Sequence, residues 1–322
     1  MMARAKRGPT IDAVVIGRNE GARLVACLQS LEGQVRRVIY VDSGSTDGSV
    51  AQAQAMGATV IDLDLTRPFT AARARNAGLK ALKAEPPDYV QFIDGDCVLR
   101  EGWMPRAVKF LSDNLRAAVV CGRRRERHPE ASVYNTLIDH EWDTPVGEAR
   151  ACGGDALMRY QAVNAVNGYR EDLIAGEEPE LCLRLRARGW TIWRIEAEMT
   201  WHDADITRIS QWWKRTERAG HAFAEGAARF STPQTPHWRA EVRRIWLWGV
   251  AIPLAALIGS LIHPAALLLV LVYPLQILRL KPRLGWAGAF FNTLGKFPEA
   301  VGALRYHARR LTRRQARLIE YK

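Results

Sequence analysis

The sequence predicts an α/β fold: a sheet of parallel βαβ units covered by helices on both faces, followed by a pair of apolar helices. Three observations carry that reading. Over residues 11 to about 125, short β-branched apolar runs alternate with helix-like stretches. Residues 126 to about 230 hold shorter strands and two long helical patterns. From Ile245 onward come two uncharged runs that differ in kind from everything before them. A chain of 322 residues has room for one large domain with an appendage, or for two domains. Its 48% hydrophobic and 25% charged residues are ordinary globular values and argue against wholesale disorder, a collagen or a polytopic transporter.

The strand runs are Ile11–Ile16, Val38–Val41, Thr59–Ile61, Tyr89–Ile93 and Ala117–Val120. Between them lie helical stretches that include Leu24–Leu31, Val50–Met56, Ala71–Lys83 and Met104–Leu115. In the second zone Glu178, Leu181, Cys182 and Leu185 recur at i, i+3, i+4 and i+7, while Arg184, Arg186 and Arg188 face elsewhere and Gly189 ends the helix. The other helix runs from about Thr207 through Phe230. Ligands of such sheets sit beyond the carboxyl ends of the strands, so the residue after each run matters most.

In the third zone, Ile245 to Ile262 is eighteen residues without a charge, His263-Pro264 interrupts, and Ala265 to Leu278 adds fourteen more. As helices these measure roughly 27 and 21 Å, against a hydrocarbon core of about 30 Å. A short or re-entrant two-helix hairpin at a membrane is the expectation, with a buried helical pair in a soluble core as the competing account. Arg239, Arg243 and Arg244 precede it and Arg279, Lys281 and Arg283 follow, which puts both ends on the cytoplasmic side of the inner membrane. Leu284 to Leu304 is expected to lie in the interface, and the tail with Arg305, Arg309, Arg310, Arg313, Arg314 and Arg317 to meet anionic headgroups. The domain boundaries expected are a basic tail over 1–9, two halves of one domain over 10–125 and 126–235, and a membrane-associated segment over 236–322. The basic stretch Met1 to Pro9 has no apolar run, so no signal peptide is expected.

The formal charge of +12 suits phosphate-rich ligands, anionic lipid or nucleic acid. Nucleic acid is disfavoured, because the basic residues are dispersed and no helix-turn-helix, zinc-finger or aromatic RNA-binding signature appears. Five cysteines, Cys27, Cys97, Cys121, Cys152 and Cys182, are odd in number, widely spaced and without a CxxC pair. That argues against a disulfide framework and a cysteine zinc site, and for a reducing compartment.

The chemistry begins at the strand ends. Asp94-Gly95-Asp96 follows Tyr89–Ile93, and two carboxylates around a glycine can converge on one Mg²⁺ or Mn²⁺ that also holds substrate phosphates. After Val38–Val41 comes Asp42-Ser43-Gly44-Ser45-Thr46-Asp47-Gly48. Ser45 or Thr46 is expected to cap the next helix, which leaves Asp42 for a base or ribose. Arg73, Arg75 and Asn76 open the third helix, with Arg67 before it; they suit a diphosphate clamp or a solvated basic face.

With Val15-Ile16-Gly17-Arg18-Asn19-Glu20, the Asp42 loop, Ala74-Arg75-Asn76-Ala77-Gly78 and Asp94-Gly95-Asp96 in this order and spacing, the sequence resembles the inverting glycosyltransferase family 2, of GT-A fold. Gly153-Gly154-Asp155-Ala156-Leu157-Met158-Arg159, Gly168-Tyr169 and Gly176-Glu177-Glu178-Pro179-Glu180-Leu181 resemble its acceptor half. The resemblance covers roughly residues 10 to 220. It implies a Rossmann-like mixed sheet, a nucleotide-sugar-binding half over 10–125 and an acceptor half over 126–235. It further implies a metal-dependent transfer from a nucleotide-diphosphate sugar, UDP-sugar foremost, to a lipid-linked or cell-surface polysaccharide acceptor.

The resemblance also distributes roles. Glu20, Asp42, Arg73, Arg75, Asn76 and Asp94 would bind the donor. Asp94 and Asp96 would hold Mn²⁺ or Mg²⁺, with His202 as a further ligand. Gly154 and Asp155 would lie on the acceptor side, together with Gln211 and Trp212 of a loose Gln-x-x-Arg-Trp-like segment. The base of the family lies in a Glu-Asp pair; here the pair is Glu177-Glu178, a departure by one methylene, and Glu178 is the expected base with Glu177 as alternative. The start of a helix is expected to hold that carboxylate ionised. A catalytically silent membrane scaffold is the main competing function. The two differ in one measurement: for the enzyme, a nucleoside diphosphate with Mn²⁺ raises thermal stability, by about 2.7 kcal/mol at a hundred times its Kd, whereas a scaffold gives no shift with any nucleotide.

Overall fold

A computed structural model of the chain describes residues 8–312, which form two compact units. The first comprises the chain up to His128, Ile138–Asp172 and Glu177–Ala204; the second comprises Pro129–Leu137, Leu173–Gly176 and the chain from Asp205 onward. The expected arginines 313, 314 and 317 of the tail, and most of the expected N-terminal tail, lie outside the described residues.

The first unit opens with β1 (Ile11–Gly17), α1 (Ala22–Leu31), β2 (Arg37–Asp42), α2 (Ser49–Ala55), β3 (Thr59–Asp62), α3 (Ala71–Ala81) and β4 (Tyr89–Asp94). It continues through β5 (Cys97–Leu99), α4 (Trp103–Asp113) and β6 (Ala117–Glu126). After α5 (Val133–Glu141), along which the chain passes from the second unit back to the first, come β7 (Gly147–Ala149), β8 (Ala156–Arg159), α6 (Tyr160–Ala165), α7 (Glu177–Ala187) and β9 (Thr191–His202). The apolar runs become strands and the 3.6-period stretches become helices for the reason the pattern gives. In α1, for example, Leu24, Cys27, Leu28 and Leu31 form one buried stripe. Trp103 of α4 is wholly buried, and its indole donates to Gln91 Oε1 at 2.9 Å, which satisfies the one polar atom it brings inside.

The strands make one sheet in the order β3-β2-β1-β4-β8-β6-β9-β5, with β7 beside β9. The first four strands run parallel. β8 is antiparallel to both β4 and β6, and two reversals restore direction, so β6 and its parallel neighbour β9 point the same way as β4. The sheet is therefore mixed, not wholly parallel, and the carboxyl ends Gly17, Asp42, Asp94, Glu126 and His202 share one edge.

Three local expectations need correction. β6 does not stop at Val120 but continues through Gly122-Arg123-Arg124-Arg125-Glu126, because β9 pairs with it along that length through three register shifts. β9 itself is a strand of twelve residues where a short one was expected. Neither Ser45 nor Thr46 caps α2: the helix starts after Gly48, and the Asp47 carboxylate accepts the Ser49 N–H at 3.1 Å, because the Ser45 hydroxyl is drawn to Asp42 at 2.5 Å.

In the second unit α8 (Ile209–Phe230) packs on α12 (Lys296–Thr312) and lies beside α9 (Arg239–Trp246). Between these helices come α10 (Ile252–Ser260), which a π turn joins to α9, and α11 (Val272–Leu294), which follows α10 through a 3₁₀ stretch. The α8–α12 crossing is so close that a Cβ on Gly220 would meet the backbone of Glu299, and one on Gly302 the backbone of Glu217. The expected boundary near residue 235 thus falls inside this unit, between two of its helices. Nor does Leu284–Leu304 form a single surface segment: α11 kinks at Gly285, and α12 buries Pro298, Ala300, Gly302, Ala303 and Tyr306.

Arg239–Ser260 and Pro264–Thr312 are long and apolar enough to cross a membrane, and 11% and 0% of their most apolar windows are buried. Leu257, Ile258, Leu261, Ile262 and Leu268 are exposed among the described residues, which speaks against the buried-pair account. Gly302→Val should cost about 1–3 kcal/mol or more in urea unfolding of the chain, with earlier proteolysis between α8 and α12; wild-type stability would mean that the two helices do not touch there.

Candidate active site

Asp94 ends β4, and the Gly95 N–H closes the turn onto Ile16 O at 2.8 Å. Asp96 follows, and β5 begins at Cys97, whose antiparallel register partner is His202. Strand pairing thus carries His202 to the acidic turn from more than a hundred residues away. Its Nε2 lies 3.5 Å from Asp96 Oδ2, and its Nδ1 lies 3.6 Å from Oε2 of the buried Glu126. The Trp142 ring meets the imidazole edge to face at 4.8 Å.

Two guanidiniums organise the neighbouring carboxylates. Arg75 is 3% exposed and donates to Glu177 Oε1 at 2.9 Å, Glu178 Oε1 at 3.0 Å and Asp94 Oδ1 at 2.9 Å. Arg124 reaches Asp94 Oδ2 and Asp155 Oδ2, both at 3.1 Å, and lies over the Trp142 ring at 4.9 Å. Gly154 is required here: a Cβ would sit 2.6 Å from the Arg75 guanidinium and 2.9 Å from Asp94. Against these two cations stand four carboxylates, Asp94, Asp155, Glu177 and Glu178, so the centre is acidic inside a basic chain.

The titration behaviour follows. Burial works to raise the pKa of Asp94, but Arg75 and Arg124 outweigh it and hold the carboxyl below its ordinary value. Burial first, then the charge of Glu177, push Glu178 up to about 7 against the pull of Arg75. The helix start expected to keep Glu178 ionised contributes only about 0.3–1 kcal/mol, less than those two effects together.

Among the described residues, two groups of side chains have the spacing of metal ligands: Asp96, Cys97 and His202, and Asp94, Cys97 and Asp155. The second is already crossed by a cation, since Arg124 touches Asp94, Asp155 and, at 3.1 Å, Cys97 Sγ. The first fits a divalent ion. Cis ligands at about 2.1 Å from one ion lie about 3 Å apart, near the 3.5 Å between Asp96 and His202, which is too long for a good hydrogen bond. Burial keeps Cys97 a thiol despite the opposing charge of Arg124, so it is no ligand for a hard ion.

The other expected residues are placed as follows. Asp42 is buried, and its oxygens accept from Tyr40, Ser45 and the Gly44 and Ser45 N–H groups, so it shapes the loop after β2. Glu20 pairs with Arg23 at 2.8 Å close to the Gly95 turn. Arg73 differs from expectation: its guanidinium donates to the carbonyls of Asp64, Arg67 and Pro68, because the loop before α3 turns back over it, and this leaves no diphosphate clamp there. Arg75 likewise holds carboxylates where a diphosphate was expected. Asn76 fastens α3 to the Gly168-Tyr169 turn through both ends of its amide. Asp155 supports the acidic turn, accepting from Asp94 N and Thr200 Oγ1, and is buried. Gln211 and Trp212 belong to the second unit. Gln211 closes the first turn of α8, and Trp212 packs between Tyr134 and Phe291.

The profile described as Glycosyl transferase family 2 matches residues 12–159. Residues 12–159 are thus a family 2 glycosyltransferase domain. Its fold is GT-A: a mannosyltransferase from Pyrobaculum calidifontis, solved in complex with GDP-Man and Mn²⁺, superposes over 93% of this chain and 88% of its own with a TM-score of 0.62 at 19% identity. Glucosyl-3-phosphoglycerate synthase from Mycobacterium tuberculosis, solved with Mn²⁺, UDP-Glc and phosphoglyceric acid, covers 69% of this chain and 80% of its own with a TM-score of 0.50 at 21% identity. In sequence, the pre-mycofactocin glycosyltransferase of M. tuberculosis is 27% identical over 248 residues, 72% of this chain. The chain spans about half (51%) of the length of that relative.

Sequence reasoning missed Arg124, Glu126 and Trp142 in this family 2 domain. The first two stand on the charged continuation of β6, whose signal was a period of two in Arg124 and Glu126 that the surrounding charges masked. Trp142 lies just past α5 and carried no signal. Replacing Arg75 by Met leaves three carboxylates facing one another without it; the expected loss is about 3–5 kcal/mol in urea unfolding at pH 7.5, shrinking as the pH falls and protons replace the cation. A loss that did not depend on pH would show that Arg75 acts by packing alone.

Proposed function

We propose that the chain is a membrane-associated, metal-dependent, inverting glycosyltransferase. It moves a sugar from a nucleoside-diphosphate donor, UDP-sugar foremost, to a lipid-linked or cell-surface polysaccharide acceptor. The observation that carries the reading is the meeting at one sheet edge of Asp94, Asp96 and His202 with the Glu177–Glu178 pair, joined through Arg75. The Mn²⁺ in the Pyrobaculum and mycobacterial complexes supports a metal-dependent transfer from a nucleotide sugar.

Asp96 and His202 would hold the ion, and imidazole among the ligands favours Mn²⁺ over the harder Mg²⁺. When bound, it neutralises the charge that gathers on the leaving diphosphate. Asp94, kept ionised by its two arginines, faces the donor, while Glu20 and the Asp42 loop frame the nucleoside. Glu178 takes the proton of the attacking hydroxyl: a base with a pKa near the working pH is the effective one. Glu177 is the more buried of the pair and serves mainly to hold Arg75. The exposed apolar faces of α10 and α11, flanked by Arg239, Arg243, Arg244, Arg279, Lys281 and Arg283, suit attachment to the cytoplasmic face of the inner membrane. A lipid-linked acceptor would be met there.

Glu178→Gln should lower kcat about 10²–10⁴-fold while the Kd for UDP with Mn²⁺ stays near wild type. In the wild type kcat should rise with pH through about 7 and then level, because only the deprotonated carboxylate accepts a proton. Its raised pKa means that the folded state binds this proton more tightly than the unfolded chain, so this group's contribution to stability falls as pH rises towards 7. Equal loss of donor affinity in Glu178→Gln would contradict the base assignment.

A further inference from the structure

We propose that Glu126 is a positioning residue that fixes the tautomer of His202, leaving Nε2 unprotonated to take the metal. The inference rests on the metal reading above and names a residue outside it. Glu126 and His202 are register partners at the ends of β6 and β9, so the sheet itself sets their spacing. The carboxylate is 1% exposed, and its place is fixed from both sides: Oε1 accepts from the His128 N–H at 3.1 Å and Oε2 from the Ala204 N–H at 2.9 Å.

Oε2 also lies 3.6 Å from His202 Nδ1, a buried ring nitrogen with no hydrogen bond to any other described group. The opposite nitrogen, Nε2, faces Asp96. Trp142 lies edge to face against the imidazole, which limits its rotation. A neutral histidine carries one proton, and an anionic acceptor buried beside Nδ1 draws it there. The Nε2 lone pair then points to where Asp96 can share an ion, the arrangement by which outer carboxylates orient metal-bound histidines. The closing of a weak contact of 3.6 Å into a hydrogen bond is what ion binding at Nε2 would bring about.

Two measurements test this. Mn²⁺ affinity, by titration calorimetry or by the EPR signal of the free ion, should fall about 10–100-fold in Glu126→Gln, with thermal unfolding of the metal-free variant recorded alongside. Nitrogen-15 spectra of histidine-labelled wild type, with His202 assigned by its loss in His202→Gln, should show the Nδ1–H form before Mn²⁺ is added. This second readout needs no folded Glu126 variant. A folded Glu126→Gln with wild-type Mn²⁺ affinity, or an Nε2–H tautomer in the wild type, overturns the role of Glu126 and leaves the metal reading standing. No Mn²⁺ binding by the wild type, with UDP present or absent, overturns both.

Discussion

A guanidinium almost out of reach of solvent, in contact with three carboxylates, sets the terms for this site. Burying such a charge costs several kcal/mol unless partners surround it, and the partners of Arg75 come from β4 and from the first turn of α7. The cation therefore needs the acidic turn and the acidic helix start together, and each of them needs the cation. The acids also outnumber the bases around it. A site in that condition relieves itself by taking up a proton or a further cation. Glu178 supplies the first response, its carboxyl pushed up to about 7 by burial and by the charge of Glu177.

Much of this was legible in the sequence where the signal was local. Apolar runs marked β1 to β4, because strands covered on both faces have no freedom to be polar. Asp94 and Asp96 could be found because a glycine between two acids at a strand end is a compact pattern. Residues joined by sheet pairing were harder. Nothing in the neighbourhood of Glu126 announces that it lies opposite His202, since that follows from a parallel register with three shifts. Arg73 and Arg75, two positions apart on one helix, looked alike on paper. They differ because α3 turns one toward a loop of backbone carbonyls and the other toward the acidic centre.

The second unit teaches a different lesson about composition. Its apolar arms were recognised from length and lack of charge, and the exposure of their leucines agrees. What composition hid is that α12, basic in its second half, belongs to the body of that unit through a glycine contact with α8. Charge content described its outer face. Small residues at Gly220 and Gly302 decided where it packs.

The charged half of β6 also constrains how this chain can change. Side chains on a strand alternate between faces, so Arg124 and Glu126 turn toward Asp94 and His202 while Arg123 and Arg125 turn away, to Asp139 and Glu198. A deletion of one codon there would exchange the two sets wholesale, bringing Arg123 and Arg125 round to the acidic edge and sending Glu126 outward. Insertions and deletions in descendants of this chain should accordingly gather in its surface turns and spare this ribbon, where the reading frame of the pleat is as binding as that of the gene.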